Sequence, residues 1–151
     1  MELTSLVQRL ATEAARDGIQ QLVVGAVVQH AGKVLLLRRP EDDYMGGIFE
    51  LPSGKVEAGE ALVIALVREV KEESNLDVAA VRDYLGSFDY MSGSGKRSRQ
   101  FNFAVDVVSP EPIELREHDA YKWTPLTEEP PVTDAVKDVL DKYRELYGAQ
   151  G

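Results

Sequence analysis

Residues 54–76 read GKVEAGEALVIALVREVKEESNL, and the second half of that stretch has the period of an α-helix. Leu62, Ala65, Leu66 and Val70 recur at helical spacing, which predicts a helix over residues 61–74 with one apolar side. At about 100° per residue, Glu72 lies roughly 60° to one side of Glu69 and Glu73 roughly 40° to the other, so three carboxylates share one stripe. Like charges so placed repel. Such a stripe is what a solvated helix surface carries, and also what presents several oxygens to a hard cation such as Mg²⁺ or Mn²⁺. Arg68 adjoins the acids and can orient one of them.

Upstream, residues 21–29 (QLVVGAVVQ) and 33–39 (KVLLLRR) are β-rich runs on either side of His30-Ala31-Gly32, which predicts a hairpin with its glycine in the turn. A loop rich in glycine, proline and acids follows from Pro40 to Gly59 and enters the acidic helix through a tight glycyl bend. Further upstream, Leu3, Leu6, Val7, Leu10 and Ala14 define an amphipathic helix over residues 3–16 that Asp17-Gly18 terminates. Downstream, strands over roughly 78–90 and 99–108 flank the small-residue loop Ser92-Gly93-Ser94-Gly95-Lys96-Arg97. A short strand at Tyr121 to Trp123 precedes a proline-rich link and a C-terminal helix from about 132 to 147. Strands and helices are interleaved without regular βαβ alternation, so the fold class is α/β, a mixed sheet between helices plus an N-terminal extra helix.

The length of 151 residues fits one domain, 1–151, with its core over about 20–147. Lys and Arg total 17 against 26 Asp and Glu, a formal charge of −9. That balance repels phosphate backbones and anionic lipid, so neither nucleic acid nor a membrane surface is an expected partner. A phosphate-bearing substrate would need divalent cations to screen the repulsion. The absence of cysteine excludes disulfides, thiolate metal sites and a cysteine nucleophile. The N-terminus lacks a basic leader, and no apolar run approaches the ~20 residues that span a bilayer, so the expected location is cytoplasmic.

From Gly54 the pattern continues as five residues, Glu60, seven residues, Arg68-Glu69, apolar Val70, Lys71, Glu72-Glu73, Ser74, Asn75 and apolar Leu76. This resembles the signature of the Nudix hydrolases, Gly-x5-Glu-x7-Arg-Glu-U-x-Glu-Glu-x-Gly-U with U apolar, at every defined position but one. Asn75 replaces the last glycine, where a left-handed backbone is expected and asparagine is tolerated. The preceding Glu50-Leu51-Pro52-Ser53-Gly54-Lys55 is similar to the segment that leads into the family's signature, with Ser53 in place of its first glycine. LLLRR at 35–39 and Trp123 extend the likeness, which implies the Nudix-type α/β/α sandwich.

The resemblance implies hydrolysis of a nucleoside diphosphate linked to a group X, by water attack at phosphorus with Mg²⁺ or Mn²⁺ bound. It implies Glu69, Glu72 and Glu73 as metal ligands, the backbone carbonyl of Ser53 as a further one, and Arg68 as the brace of the cluster. Glu60 takes a structural role. Two residues compete as the base that activates water: Glu69, and Glu117 in the loop before Trp123. His118 beside it could act at neutral pH, but a lone histidine in a loop is more often a surface residue, and it is left out of the site. Arg39 and Lys55 are candidates for binding phosphates. The loop cations Lys96, Arg97 and Arg99 serve solubility or clamp a phosphate, and Tyr44, Phe49 and Phe88 are core aromatics or base-stacking ones. The expected substrate is a nucleoside or deoxynucleoside triphosphate. Nucleotide sugars and dinucleotides are alternatives, as is a nucleotide-sensing module without catalysis. A homodimer accords with the family's habit.

Overall fold

A run such as VVGAVV is apolar on both sides of a strand, and only a sheet covered on both faces can use it. In the computed structural model, which describes residues 3–43 and 45–148, that run is the centre of β1 (Gln21–His30), with residues 23–28 all buried. Around it lie α1 (Leu3–Arg16), β2 (Lys33–Arg38), β3 (Phe49–Glu50), β4 (Ser53–Lys55), α2 (Leu62–Ser74), β5 (Val78–Met91), β6 (Arg97–Val107), β7 (Ala120–Pro125) and α3 (Asp134–Tyr147). The expected interleaving of strands and helices is present. Tyr44, a candidate for base stacking, lies outside the described residues.

Side-chain alternation assigns the two faces. Val24, Ala26, Val28, Leu35, Leu37, Phe101, Phe103 and Val105 point to one side, against Val7 and Leu10 of α1 and Ala65, Leu66 and Val70 of α2. Val27, Val34, Leu36 and Ala104 point to the other, against Val136, Val139, Leu140 and Tyr143 of α3. The layers are therefore α/β/α, and α1 belongs to the main core on the same side as α2. Deleting a buried leucine such as Leu66 to alanine at this double interface costs about 2–5 kcal/mol.

The sheet is mixed and it forks. β6 runs parallel to β1 along residues 21–29, whereas the opposite edge of β1 is shared: β4 takes Val23, Val24 and Gly25, and β2 takes Gln29 and His30. β2 then pairs with β3 at Leu37 and Arg38 on one edge and with β7 along its whole length on the other. The β1–β2 turn has positive φ at both Ala31 (50°) and Gly32 (77°), the geometry that matches strand twist in a two-residue hairpin. In the segment expected to be all loop, β3 and β4 line the fork. They are too short for alternation to reveal, being set by their pairing with β2 and β1.

Candidate active site

Gly54 lies within β4, paired with Val24, inside the stretch expected to be loop, while the glycyl bend that leads into the helix is at Gly59, with φ of 77°. The bare backbone at Gly54 has a steric cause. A Cβ there would stand 2.0 Å from the Cδ and Oε2 of Glu69, so the bare backbone makes room for a carboxylate packed on the strand.

Arg68 organises the acids of α2. Its Nε and Nη2 donate to the two oxygens of Glu60, both at 2.8 Å, and Nη2 also donates to the Lys55 carbonyl at 2.9 Å. Its Nη1 donates to Glu69 Oε1 at 2.7 Å and Glu72 Oε2 at 3.2 Å. One planar guanidinium thus ties the loop before α2 to two acids of the stripe. The Arg68 fork, helped by the Glu57 N–H, holds the Glu60 carboxyl down to about 2, which fits the structural role expected of it.

Glu73 faces away from that brace and accepts the Ser53 N–H at 2.7 Å. Burial, opposed by that bond, pushes its carboxyl up to about 7. Burial likewise raises Glu69, although Arg68 offsets part of the rise. Both shifts report negative charge brought into a poorly solvated corner.

The sequence reading missed two members of this corner. His118 is buried, 8% exposed, and its Nε2 lies 2.6 Å from Glu50 Oε2, so it is not the surface residue expected. Burial disfavours the imidazolium, but the bond to Glu50 and the charge of Glu73 outweigh burial and raise the His118 pKa. Burial also pushes Glu50 up, but His118 and Arg39 prevail and hold it below its ordinary value. Arg39 Nε donates to Glu50 Oε1 at 3.0 Å, which places the guanidinium at the corner. Nothing local in a loop sequence marks a histidine as buried; a non-local partner, here Glu50, does.

Of the other candidates, Lys55 and Glu117 are exposed, the latter next to the inward-turned His118. Arg99 neither floats for solubility nor reaches the acids: it donates to both oxygens of Asp89, at 2.6 and 3.0 Å, and to Asp17 at 3.0 Å, tying the end of α1 to the sheet.

The donor chemistry fits a divalent cation. Glu69, Glu72 and Glu73 supply hard oxygens, and each keeps one oxygen that no donor among the described residues holds. No three acidic or imidazole groups among the described residues already converge as a coordination sphere, because Arg68 draws Glu69 and Glu72 to itself while the Ser53 N–H holds Glu73.

Beside this corner a cleft of about 410 Å³ opens on the α3 side of the sheet. Glu50 and Ser53 belong to both. Its walls include Phe49, Phe88, Tyr90 and Val136, with Gln100 and Thr133 among the polar groups. An aromatic slot ending at a carboxylate cluster suits a molecule that is flat at one end and metal-chelated at the other.

The NUDIX domain family model matches residues 19–145, and the chain belongs to the Nudix family. It is a Nudix hydrolase, acting on phosphoric anhydride bonds, of a family that generally uses divalent metal. It is 42% identical over 65 residues to the CTP pyrophosphohydrolase of Escherichia coli, a match covering 43% of this chain and about half (47%) of that protein. It is 34% identical over 112 residues to a Mycobacterium tuberculosis protein provisionally named 8-oxo-dGTP diphosphatase 2, covering 73% of this chain and 77% of the relative. The crystal structure of a MutT NUDIX hydrolase from Burkholderia pseudomallei superposes with a TM-score of 0.70 at 26% identity, covering 81% of this chain and 96% of that one. No described helix is long and apolar enough to cross a membrane.

Proposed function

We propose that the protein is a Mg²⁺- or Mn²⁺-dependent pyrophosphohydrolase that cleaves a nucleoside or deoxynucleoside triphosphate to the monophosphate and pyrophosphate in the cytoplasm. The observation that carries this reading is that the corner holding Glu73 and His118 shares Glu50 and Ser53 with the aromatic cleft. A nucleoside in the cleft would thereby have its phosphates over the carboxylates. The relatives named for CTP and 8-oxo-dGTP support the same substrate class.

Glu69, Glu72, Glu73 and the Ser53 carbonyl would hold the cation, which supplies charge neutralisation of the phosphate oxygens and a bound water. Arg68 restrains Glu69 and Glu72 against mutual repulsion. Arg39, steadied by Glu50, faces the phosphates, and Lys55 reaches them from solvent. In the reaction the water oxygen bonds to phosphorus, the bridging P–O bond breaks, and its electron pair leaves with pyrophosphate. Glu69 takes the water's proton, since burial has made its carboxyl a better base; Glu117 is the second candidate for that step. Glu117→Gln separates them, because loss of the base should alter the acid limb of the pH–rate profile, whereas Glu69→Gln also removes a cation ligand.

The test is a panel of nucleoside triphosphates, nucleotide sugars and dinucleotides with Mg²⁺ in ¹⁸O-labelled water. Monophosphate and pyrophosphate from triphosphates are expected, with turnover abolished by Glu72→Gln or Glu73→Gln in folded protein. Inertness toward every triphosphate, or undiminished rates in either variant, overturns the proposal.

A further inference from the structure

We infer that Gln100 reads the nucleobase, offering its carbonyl oxygen as an acceptor on the floor of the aromatic cleft. The site then favours bases with an amino group at the edge far from the sugar, cytosine and adenine, over those with an oxo group there. This inference names the base preferred by the nucleoside-triphosphate site proposed above and rests on that reading.

The first observation is steric. Gly25 of β1 lies between Ser53 on one neighbouring strand and Asn102 on the other. A Cβ on it would stand 2.4 Å from Gln100 Nε2 and 2.5 Å from Asn102 Oδ1. Two side-chain amides therefore lie over a bare stretch of backbone.

The second observation fixes which way those amides point. Asn102 is fully buried, and its Nδ2 donates to the backbone carbonyls of Gly86 at 3.1 Å and Gln100 at 3.3 Å. Carbonyls only accept, so the Asn102 amide cannot turn over without stranding both. Its Oδ1 must then be the acceptor, and it receives Gln100 Nε2 at 2.8 Å. Gln100 is oriented in turn. Its Oε1 is left with no donor among the described residues, in a side chain that is 7% exposed and lines the cleft.

The third observation is the setting. Phe88 is the cross-strand neighbour of Gln100 on β5, and Phe49 and Tyr90 also line the cleft. A base held edge-on among these rings, with its sugar toward Glu50 and Ser53, carries its distal substituent toward Gln100. The 4-amino group of cytosine and the 6-amino group of adenine can donate to Oε1. The 4-oxo group of uracil or thymine and the 6-oxo group of hypoxanthine would oppose two lone pairs in a half-desolvated slot. A site built around one polar partner rejects the analogue that lacks it more strongly than an apolar pocket rejects a change of size.

Kinetics with two matched pairs, CTP against UTP and ATP against ITP, test this with Mg²⁺ and the intact chain. The expected kcat/KM ratio is about tenfold or more in favour of each amino base. Gln100→Met, close in shape and without the acceptor, should bring both ratios to within about twofold of unity while its melting temperature shows a folded protein. A ratio near unity in the unaltered protein, or an undiminished ratio in Gln100→Met, overturns the inference. Binding of cytidine and uridine in EDTA, followed by NMR shifts, gives a readout free of turnover. Inactivity toward all triphosphates would sink the hydrolase proposal. Tighter cytidine binding that Gln100→Met abolishes would still uphold the reading of Gln100, and equal binding would end it.

Discussion

A methyl group at position 54 would stand 2.0 Å from the Glu69 carboxyl group, and the clash falls on the movable end of a side chain, not on backbone. Gly54→Ala is therefore expected to fold with little loss of melting temperature yet displace Glu69, at a cost of about a hundredfold in kcat if the misplacement reaches about 1 Å. Steady-state kinetics beside a thermal melt checks this, and a rate close to that of the unaltered protein would contradict the role given to the glycine. Protonation at Glu73 and His118 gives a second outcome. Both groups have folded-state pKa values raised above their ordinary ones, so the folded protein holds protons more tightly than the unfolded chain. The stability they contribute is fully present below about pH 4.5, the ordinary carboxylate value, for Glu73 and is lost as pH rises through about 7. In EDTA the melting temperature should fall over that window, and Glu73→Gln should flatten the fall. A slope unchanged by the substitution would show that Glu73 is not the group titrating. At this scale the sequence disclosed the acids and the arginine, because their spacing is a property of one helix. It concealed Glu50 and His118, whose pairing spans 68 residues and exists only once β3 and the loop before β7 are folded together.

Helix α2 ends at Asn75, which is left-handed with φ of 70° and donates its backbone N–H to the Lys71 carbonyl. Its side chain also donates to the Pro112 carbonyl at 3.2 Å, a bond that the family's usual glycine could not make. Asn75→Ala should therefore destabilise by about 1–2 kcal/mol, since it forces a β-carbon into left-handed backbone and removes the side-chain bond. Denaturant unfolding measures this, and a neutral result would mean that the helix end rearranges. The sequence located this end to the residue because the signature and the capping chemistry agree there. The long helices and strands were legible in the same way, each having enough residues to display a period. β3 and β4, of two and three residues, have no period, and their pairing partners lie on strands far away in sequence. Arg99 was obscured for a related reason: a cation beside a glycine-serine loop looks solvated until α1 brings Asp17 within 3.0 Å of it.

Across the molecule, the fork in the sheet explains why the acids and the cleft meet. Between the β4 and β2 pairings of β1, residues 50–53 pass from one branch of the fork to the other, and Ser53 both holds Glu73 of α2 and lines the cleft beside α3. A net charge of −9 makes that opening hostile to a triphosphate until a cation neutralises it. Metal binding should consequently register as folding stability. Mn²⁺ at a hundredfold excess over its Kd should add about 2.7 kcal/mol, or roughly 5–10 °C in melting temperature for a chain of this size. Glu72→Gln and Glu73→Gln should abolish most of that gain. In EDTA the same variants should melt at or above the temperature of the unaltered protein, because each removes a charge that its neighbours repel. Differential scanning calorimetry of the three proteins with Mn²⁺ and with EDTA separates these effects. If the variants kept the full Mn²⁺ shift, the cation would be settling elsewhere, and the acidic stripe of α2 would be the solvated helix surface that its spacing alone also permits.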